Sequence, residues 1–362
     1  MPRLTARTAH ALAALTLSLA CGAALAQAPE GAASAPPAAD EPAVESLLDA
    51  SALKILASAP RVAVAGFRVA FVTRNAASAH SRAAFSNLGH SAGGGVRTVT
   101  QAAVARVDVE LQNVDDARMQ AIVERAYADF MAALQATGRP VVPLAEMQAS
   151  AGWQQLEFTP TDKPYVTSPT GTQKHYRFAA PQALPLWFGH FDAPLGDRAP
   201  FSLGNWRALN QLSVDTGAVV IVPQLVVDFA DLSSSGNSMW RRQAEVEAKS
   251  GMSIEARNSK LLMFHAKIAL AGDLGSAPLK EGLPLPGEFG EFADITDEAT
   301  RTGTQVANVL TTALTMFTGH QGTVQSRQRQ ALQARPEAYE ALALSGTQQV
   351  GALYVRAVGQ YR

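Results

Sequence analysis

The sequence predicts a mixed α/β fold of the α+β kind, a mixed sheet with helices packed on it. Three observations predict it. Residues 105–111 alternate as a strand. After a turn at 113–116, the run to 136 switches to steps of three and four, placing Met119, Ile122, Val123, Ala126, Phe130 and Leu134 on one face. Residues 218–229 (AVVIVPQLVVDF) are almost continuously apolar, the pattern of a strand covered on both faces. Residues 297–317 return to the helical period, with Val306, Val309, Leu310, Ala313 and Phe317 in one stripe.

The first residues carry the pattern of a secretory leader. Arg3 and Arg7 supply a positive start, residues 11–20 an apolar core, and Ala24-Leu25-Ala26 a small-x-small cleavage site. Residues 1–26 are therefore expected to be a signal peptide and the destination periplasmic. The alternative is a lipoprotein anchored through Cys21, although Ser18-Leu19-Ala20 lacks the leucine usual three positions before such a cysteine. Cys21 is the single cysteine, so cleavage after Ala26 leaves no disulfide, no thiolate catalyst and no cysteine metal site. Residues 27–45, rich in Ala and Pro, have little to bury and are expected to be a disordered tether. An α/β domain is expected over 46–320, followed by a strand and helical extension over 321–362.

Within the domain, residues 44–56 read as a short apolar helix. Residues 61–72 (RVAVAGFRVAFV) read as a strand in which Gly66 marks a bulge or a close approach. Residues 73–100 are Gly-rich and form a loop or a hairpin. Asp115 or Asp116 caps the helix that follows, since a short carboxylate accepts the free N–H groups of a first turn. Gly138 and Pro140 end that helix, and 139–143 adds a short strand. Residues 144–156 suit a second short helix carrying Trp153. Residues 157–200 change character, with prolines at 160, 164, 169, 181, 185 and 194 making an irregular insertion around an aromatic knot. Asn205 caps the next helix and Gly217 stops it. Pro223, inside the buried strand, cannot donate to a ladder and implies a bulge or an edge. Residues 243–254 and 260–270 read as a two-stranded hairpin joined at 255–259, residues 272–289 as a connection, and Pro336 opens the last helix.

This order of elements, with the phrases Ala121-Ile122-Val123 through Pro143 and Thr216-Gly217-Ala218-Val219-Val220-Ile221-Val222, resembles the domain shared by the curli secretion channel CsgG and the N-terminal part of TolB. Arg139-Pro140-Val141-Val142-Pro143-Leu144-Ala145-Glu146-Met147 is similar to that family's strand and following helix, and Gly217-Ala218-Val219-Val220 to its second strand phrase. The resemblance spans about half of the mature chain. It implies an envelope protein, and in the channel branch it implies two hairpins per subunit that build a membrane barrel. The glycine-rich region 71–104 and the strands over 243–270 are the places for such hairpins. Their alternation is poor, Glu245, Glu247 and Lys249 facing mostly Ala and Ser, so a pore is not the expectation.

One catalytic motif occurs. Gly89-His90-Ser91-Ala92-Gly93 matches G-x-S-x-G, in which small residues let a strained strand-to-helix turn present the serine. The residues before it are not an apolar strand and those after it not a buried helix, so a glycine loop is the expected role. A serine hydrolase using Ser91, with Asp228 or Asp231 and then His265 or His320 in chain order, is the alternative. No metal or other cofactor is expected, since His175, His190 and Asp192 lack a third ligand at a metal-binding spacing. A formal net charge of -1 argues against a broad nucleic-acid surface, and Arg327, Arg329 and Arg335 read as a solvated basic patch. No run after the leader reaches the roughly 18–20 apolar residues of a membrane helix, which leaves strand-mediated outer-membrane association open. Trp187, Phe188, His190, Phe191 and Asp192 form a partner-binding cluster if exposed and a plug for the core if buried. The expected function is a non-enzymatic binding or assembly accessory of the cell envelope, working with an envelope protein partner or by self-association. An oligomeric outer-membrane secretion component is a further alternative.

Overall fold

The computed structural model describes residues 43–80, 102–159, 165–167, 174–188, 203–235, 245–266, 275–318 and 323–362. The first apolar stretch is not one helix. It breaks into α1 (Val44–Leu47), α2 (Ala50–Leu53) and a 3-10 turn, Lys54–Ser58. Asp49 makes the break, its carboxylate accepting from the Ser51 N–H to cap α2. The next strand is also interrupted, with β1 (Arg61–Val64) and β2 (Arg68–His80) separated at 65–67. A Cβ on Gly66 would stand 3.2 Å from Val222 and 3.3 Å from the Trp187 indole, so any larger residue would push these side chains back by a few tenths of an ångström.

After β3 (Ala102–Gln112) comes α3 (Asp116–Ala136), capped by Asp115, which accepts from the Arg118 N–H at 2.8 Å. All six apolar residues read from its periodicity are buried. The strand expected at 139–143 reduces to a single bridge between Val62 and Val141, because Pro140 and Pro143 cannot donate to a ladder. The helix expected over 144–156 is two, α4 (Leu144–Ala149) and α5 (Ala151–Gln154). Ser150 divides them, and its hydroxyl accepts from the Trp153 N–H. Nor is the insertion wholly irregular. It contains β4 (Tyr165–Thr167) and β5 (His175–Ala179), an antiparallel pair that joins the sheet at β2.

The next helix, α6 (Leu203–Thr216), leads into β6 (Ala218–Ser235), an 18-residue strand that is the spine of the sheet. On one edge β6 pairs in parallel first with β1 and then with β2. On the other edge, β8 (Lys260–Phe264) pairs with its lower half and β7 (Glu245–Ile254) with its upper half. The hairpin expected over 243–270 is therefore absent: β7 and β8 follow one another along the same edge of β6. Among the described residues, β2 instead pairs antiparallel with β3, and β6 with β7, as the shorter β4 does with β5 and β8 with β9. Pro223 sits opposite the 65–67 interruption, so its missing N–H leaves no gap in the ladder on that side.

The stretch expected to be connection carries β9 (Ser276–Pro278) and β10 (Leu283–Leu285), with β11 (Gly290–Asp294) just after it. After α7 (Glu298–Thr318) comes β12 (Thr323–Ala334), parallel to β3 and antiparallel to β11. The chain then forms α8 (Pro336–Gln360). Among the described residues the sheet has twelve strands, ordered β10-β7-β6-β2-β3-β12-β11 along its main path. It coils far enough to bring β7 against β3 and β11.

Helices α3 and α8 pack on each other and on the sheet, and Phe67 meets the rings of Tyr127 and Phe130 at 5.6 and 5.5 Å. Trp187 and Phe188 belong to a different layer, with α6 behind them: Asn205 of α6 donates to the Phe188 carbonyl at 2.8 Å. Helix α5 rests on α6 so closely that a Cβ on Gly152 would collide with the Leu212 backbone. Arg139, 3 % exposed, ties the N-terminal turns to the end of α8. Its guanidinium donates to the carbonyls of Ala59, Val358 and Tyr361 at 2.7, 2.9 and 2.9 Å, and to that of Leu56. Burial pulls its pKa down, but an arginine keeps its charge and with it these charge-assisted bonds.

Candidate functional site

From Ala218 to Val227 the central strand β6 is buried throughout. The pair Phe71 and Val227 is the last that β2 and β6 share. Immediately beyond it both strands break register, β2 between Val72 and Arg74 against β5, and β6 between Asp228 and Ala230 against β7. Bulges of this kind bend a strand and re-aim its side chains. The two strands part, and a cleft of about 690 Å³ opens between β2, β6 and β7.

An ion cluster stands in this cleft. Lys174, just before β5, places its Nζ 2.5 Å from Asp228 Oδ2 and 3.1 Å from Glu255 Oε1. Burial would lower the Lys174 pKa, but Asp228 and Glu255 outweigh it and hold the ammonium charged. Burial, with the charge on Glu255, raises the Asp228 carboxyl overall against the pull of Lys174, so its ionised form depends on the ammonium beside it. Burial and the charge on Glu255 raise the neighbouring Tyr176 phenol. Asp228 Oδ1 also accepts from the Ala230 N–H at 3.3 Å, fixing the bulge that opened the cleft.

A second charged face lies on β2, β3 and β12. Asp108, 7 % exposed, accepts from Arg106 Nε and Nη2 at 3.0 and 2.8 Å, and Arg74 stands 3.5 Å away. Burial would raise its carboxyl, but Arg106, Arg74 and Arg327 together hold it below the usual range. His175, paired with Arg74 across β2 and β5, has its pKa lowered by burial and then by Arg74. Arg327 and Arg329, read from sequence as a solvated patch, sit beside Arg106 and Asp108 through the parallel pairing of β12 with β3.

The residues singled out from sequence fall in different places. Trp187 and Phe188 are 1 % exposed each and fill the core. The Trp187 indole donates to the Ala65 carbonyl at 3.1 Å. Arg68, 1 % exposed, donates to the Trp187 carbonyl at 2.8 Å and stacks its guanidinium 5.1 and 5.5 Å from the two rings. His190, Phe191, Asp192, Ser91 and His320 lie outside the described residues. Asp228 is engaged by Lys174. His265 follows Phe264, which pairs with Val220, whereas Asp228 lies at the far end of the same strand. At about 3.3 Å per residue the two are roughly 30 Å apart. The structure thus does not bring Asp228 and His265 together as members of one triad. Lys174 and Glu255, the residues that complete the ion cluster, carried no motif, because 80 residues of chain separate them and only the sheet makes them neighbours.

Among the described residues no group of three or more His, Cys, Asp or Glu is arranged to hold a metal ion, and no helix is long and apolar enough to cross a membrane. Comparison with known proteins gives no match, whether to a family model, a curated protein or a solved structure.

Proposed function

We propose that this chain is an exported cell-envelope protein that acts without catalysis, as a binding and assembly accessory whose first partner is a second copy of itself. One observation carries the reading. Helix α7 lies along β12 and turns Val306, Val309 and Leu310 outward, 52 %, 67 % and 65 % exposed. Large apolar side chains grouped on one exposed face mark an interaction surface. From 302 to 318 this helix carries no charged residue, so it offers a charged partner nothing to recognise and suits an identical uncharged face. Its own seat is polar: Asn308 donates to the Gln325 carbonyl at 2.7 Å and accepts from the Gln325 N–H at 2.8 Å, which covers the open edge of β12 and leaves the stripe unused. The leader pattern and the resemblance to the CsgG and TolB N-terminal domains support the envelope setting.

A second reading, an oligomeric outer-membrane component, draws on the hairpins β2–β3 and β6–β7. Light scattering on the chain from Gln27 onward, with and without detergent, separates the two. A dimer or small oligomer in plain buffer that Leu310→Glu converts to monomer supports the proposal. A monodisperse monomer sinks it, and a large ring stable only in detergent transfers the argument to the second reading.

A further inference from the structure

The charged face on β2, β3 and β12 contains a guanidinium that the fold leaves without a counter-ion. Arg106 and Arg327 are register partners on neighbouring parallel strands, so two cations stand side by side on one face of the sheet. Like charges directly opposite one another work against strand pairing. Asp108 answers only the first of them. Both its oxygens accept from the Arg106 fork, and Arg74 stands 3.5 Å from one of the two. Arg327 is exposed, and its guanidinium makes no hydrogen bond or ion pair with any described residue. It acts on Asp108 only through space.

The other charges of this face are placed elsewhere. Glu110 lies opposite Arg74, four residues along β3 from Arg106, which is about 13 Å. His175 also sits beside Arg74. Asp297 stands 3.8 Å from Arg329, and Asp294 pairs with Arg301. Level with Arg106 and Arg327 the neighbours are uncharged: Ser78, opposite Arg106 on β2, and Asn308 of α7, which is tied to Gln325. Two arginines thus share one carboxylate, Asp108, and this end of the face keeps a positive excess.

We propose that Arg327 and Arg106 form a binding site for a phosphate group, with Arg327 as its main ligand and Arg329, two residues along β12, beside it. A guanidinium presents paired N–H donors that match two phosphate oxygens. A phosphate between the two arginines relieves the repulsion that the β3–β12 pairing carries. The face is open to solvent, so the group can belong to a soluble phosphate compound or to a lipid headgroup. The site lies on strands, apart from the apolar residues of α7, and does not depend on self-association.

Two experiments on the chain from Gln27 onward tell the sources apart: calorimetric titration with inorganic pyrophosphate, and co-sedimentation with phosphatidylcholine vesicles with and without phosphatidic acid. Saturable binding of pyrophosphate assigns a soluble phosphate, and sedimentation that requires phosphatidic acid assigns a headgroup. In whichever arm binds, Arg327→Gln is expected to weaken binding roughly tenfold, the loss of a charge-assisted hydrogen bond. Arg327→Lys, which keeps the charge and loses the fork, should fall between parent and Arg327→Gln. Arg207→Gln, which removes an exposed arginine of α6, should change nothing and so reports on general attraction between charges. Binding in one arm or both that responds in this way supports the proposal. Binding in neither arm overturns it, as does binding that Arg327→Gln leaves unchanged or that Arg207→Gln weakens equally.

Discussion

Below Val227 the central strand β6 lies between two covered faces, and every side chain there is in the core. Above it the same strand parts from β2, carries Asp228 and Asp231, and borders a cleft. The lower half also uses charge, but as mortar. Arg68 is sealed beneath Trp187 and Phe188, and its hydrogen bond goes to a main-chain carbonyl. In the upper half, charges meet charges, Lys174 with Asp228 and Glu255, Asp108 with Arg106 and Arg74. The difference teaches that continuous burial leaves no room for a ligand. This strand becomes available for one only where the two ladders slip.

The comparison breaks first in the lower half. Trp187→Ala empties the space against Gly66 and Phe264 and strips Arg68 of one of its two stacking partners, so a loss of about 3–5 kcal/mol is expected in urea unfolding. A loss below about 1 kcal/mol would mean that the aromatic knot is not the plug of this face. In the upper half, Lys174→Met leaves the buried Asp228 carboxylate without its ammonium and should cost about 2–3 kcal/mol. The double variant Lys174→Met with Asp228→Leu should regain most of that loss, because the penalty belongs to the orphaned charge. If both variants unfold alike, the cluster is not a coupled pair.

Asp108→Asn is a smaller step, about 1 kcal/mol, because Arg74 and Arg106 are more than a third exposed and regain water. Its pH dependence is the sharper reading. The folded carboxyl titrates below the usual 3.8, so its contribution is complete above that value and disappears as the pH falls through the folded pKa. Acid unfolding curves of parent and variant should therefore converge as the pH falls through the lowered folded pKa of Asp108. Smallest of all is Leu310→Glu, within about 0.5 kcal/mol on stability, since the side chain is 65 % exposed. Its expected effect is on mass in solution and not on the midpoint of unfolding.

Wherever one residue's neighbours are its own periodic repeats, the sequence was readable. The six apolar positions of α3, its Asp115 cap, the buried run of β6 and the stop at Gly217 follow from periods of 3.6 and 2 and from the φ of 58° that glycine tolerates. Strands of three to five residues set among prolines, such as β4, β5 and β9, give too few repeats to stand out. The hairpin expected at 243–270 failed for a related reason. Adjacent strands usually pair with each other, but β6 is long enough to accept both along one edge.

The fold class, the main helices with their buried faces, and the strand covered on both sides were legible in the chain, because each is set by local period and by which side chains avoid water. The sealing of Trp187, the outward position of Val306, Val309 and Leu310 on α7, and the meeting of Lys174, Asp228 and Glu255 came from tertiary packing. Those outcomes depend on strand register, and register is a sum over pairings far apart in the chain. A shift of one residue turns every side chain to the other face, and two such shifts, at Val72/Arg74 and at Asp228/Ala230, opened the cleft.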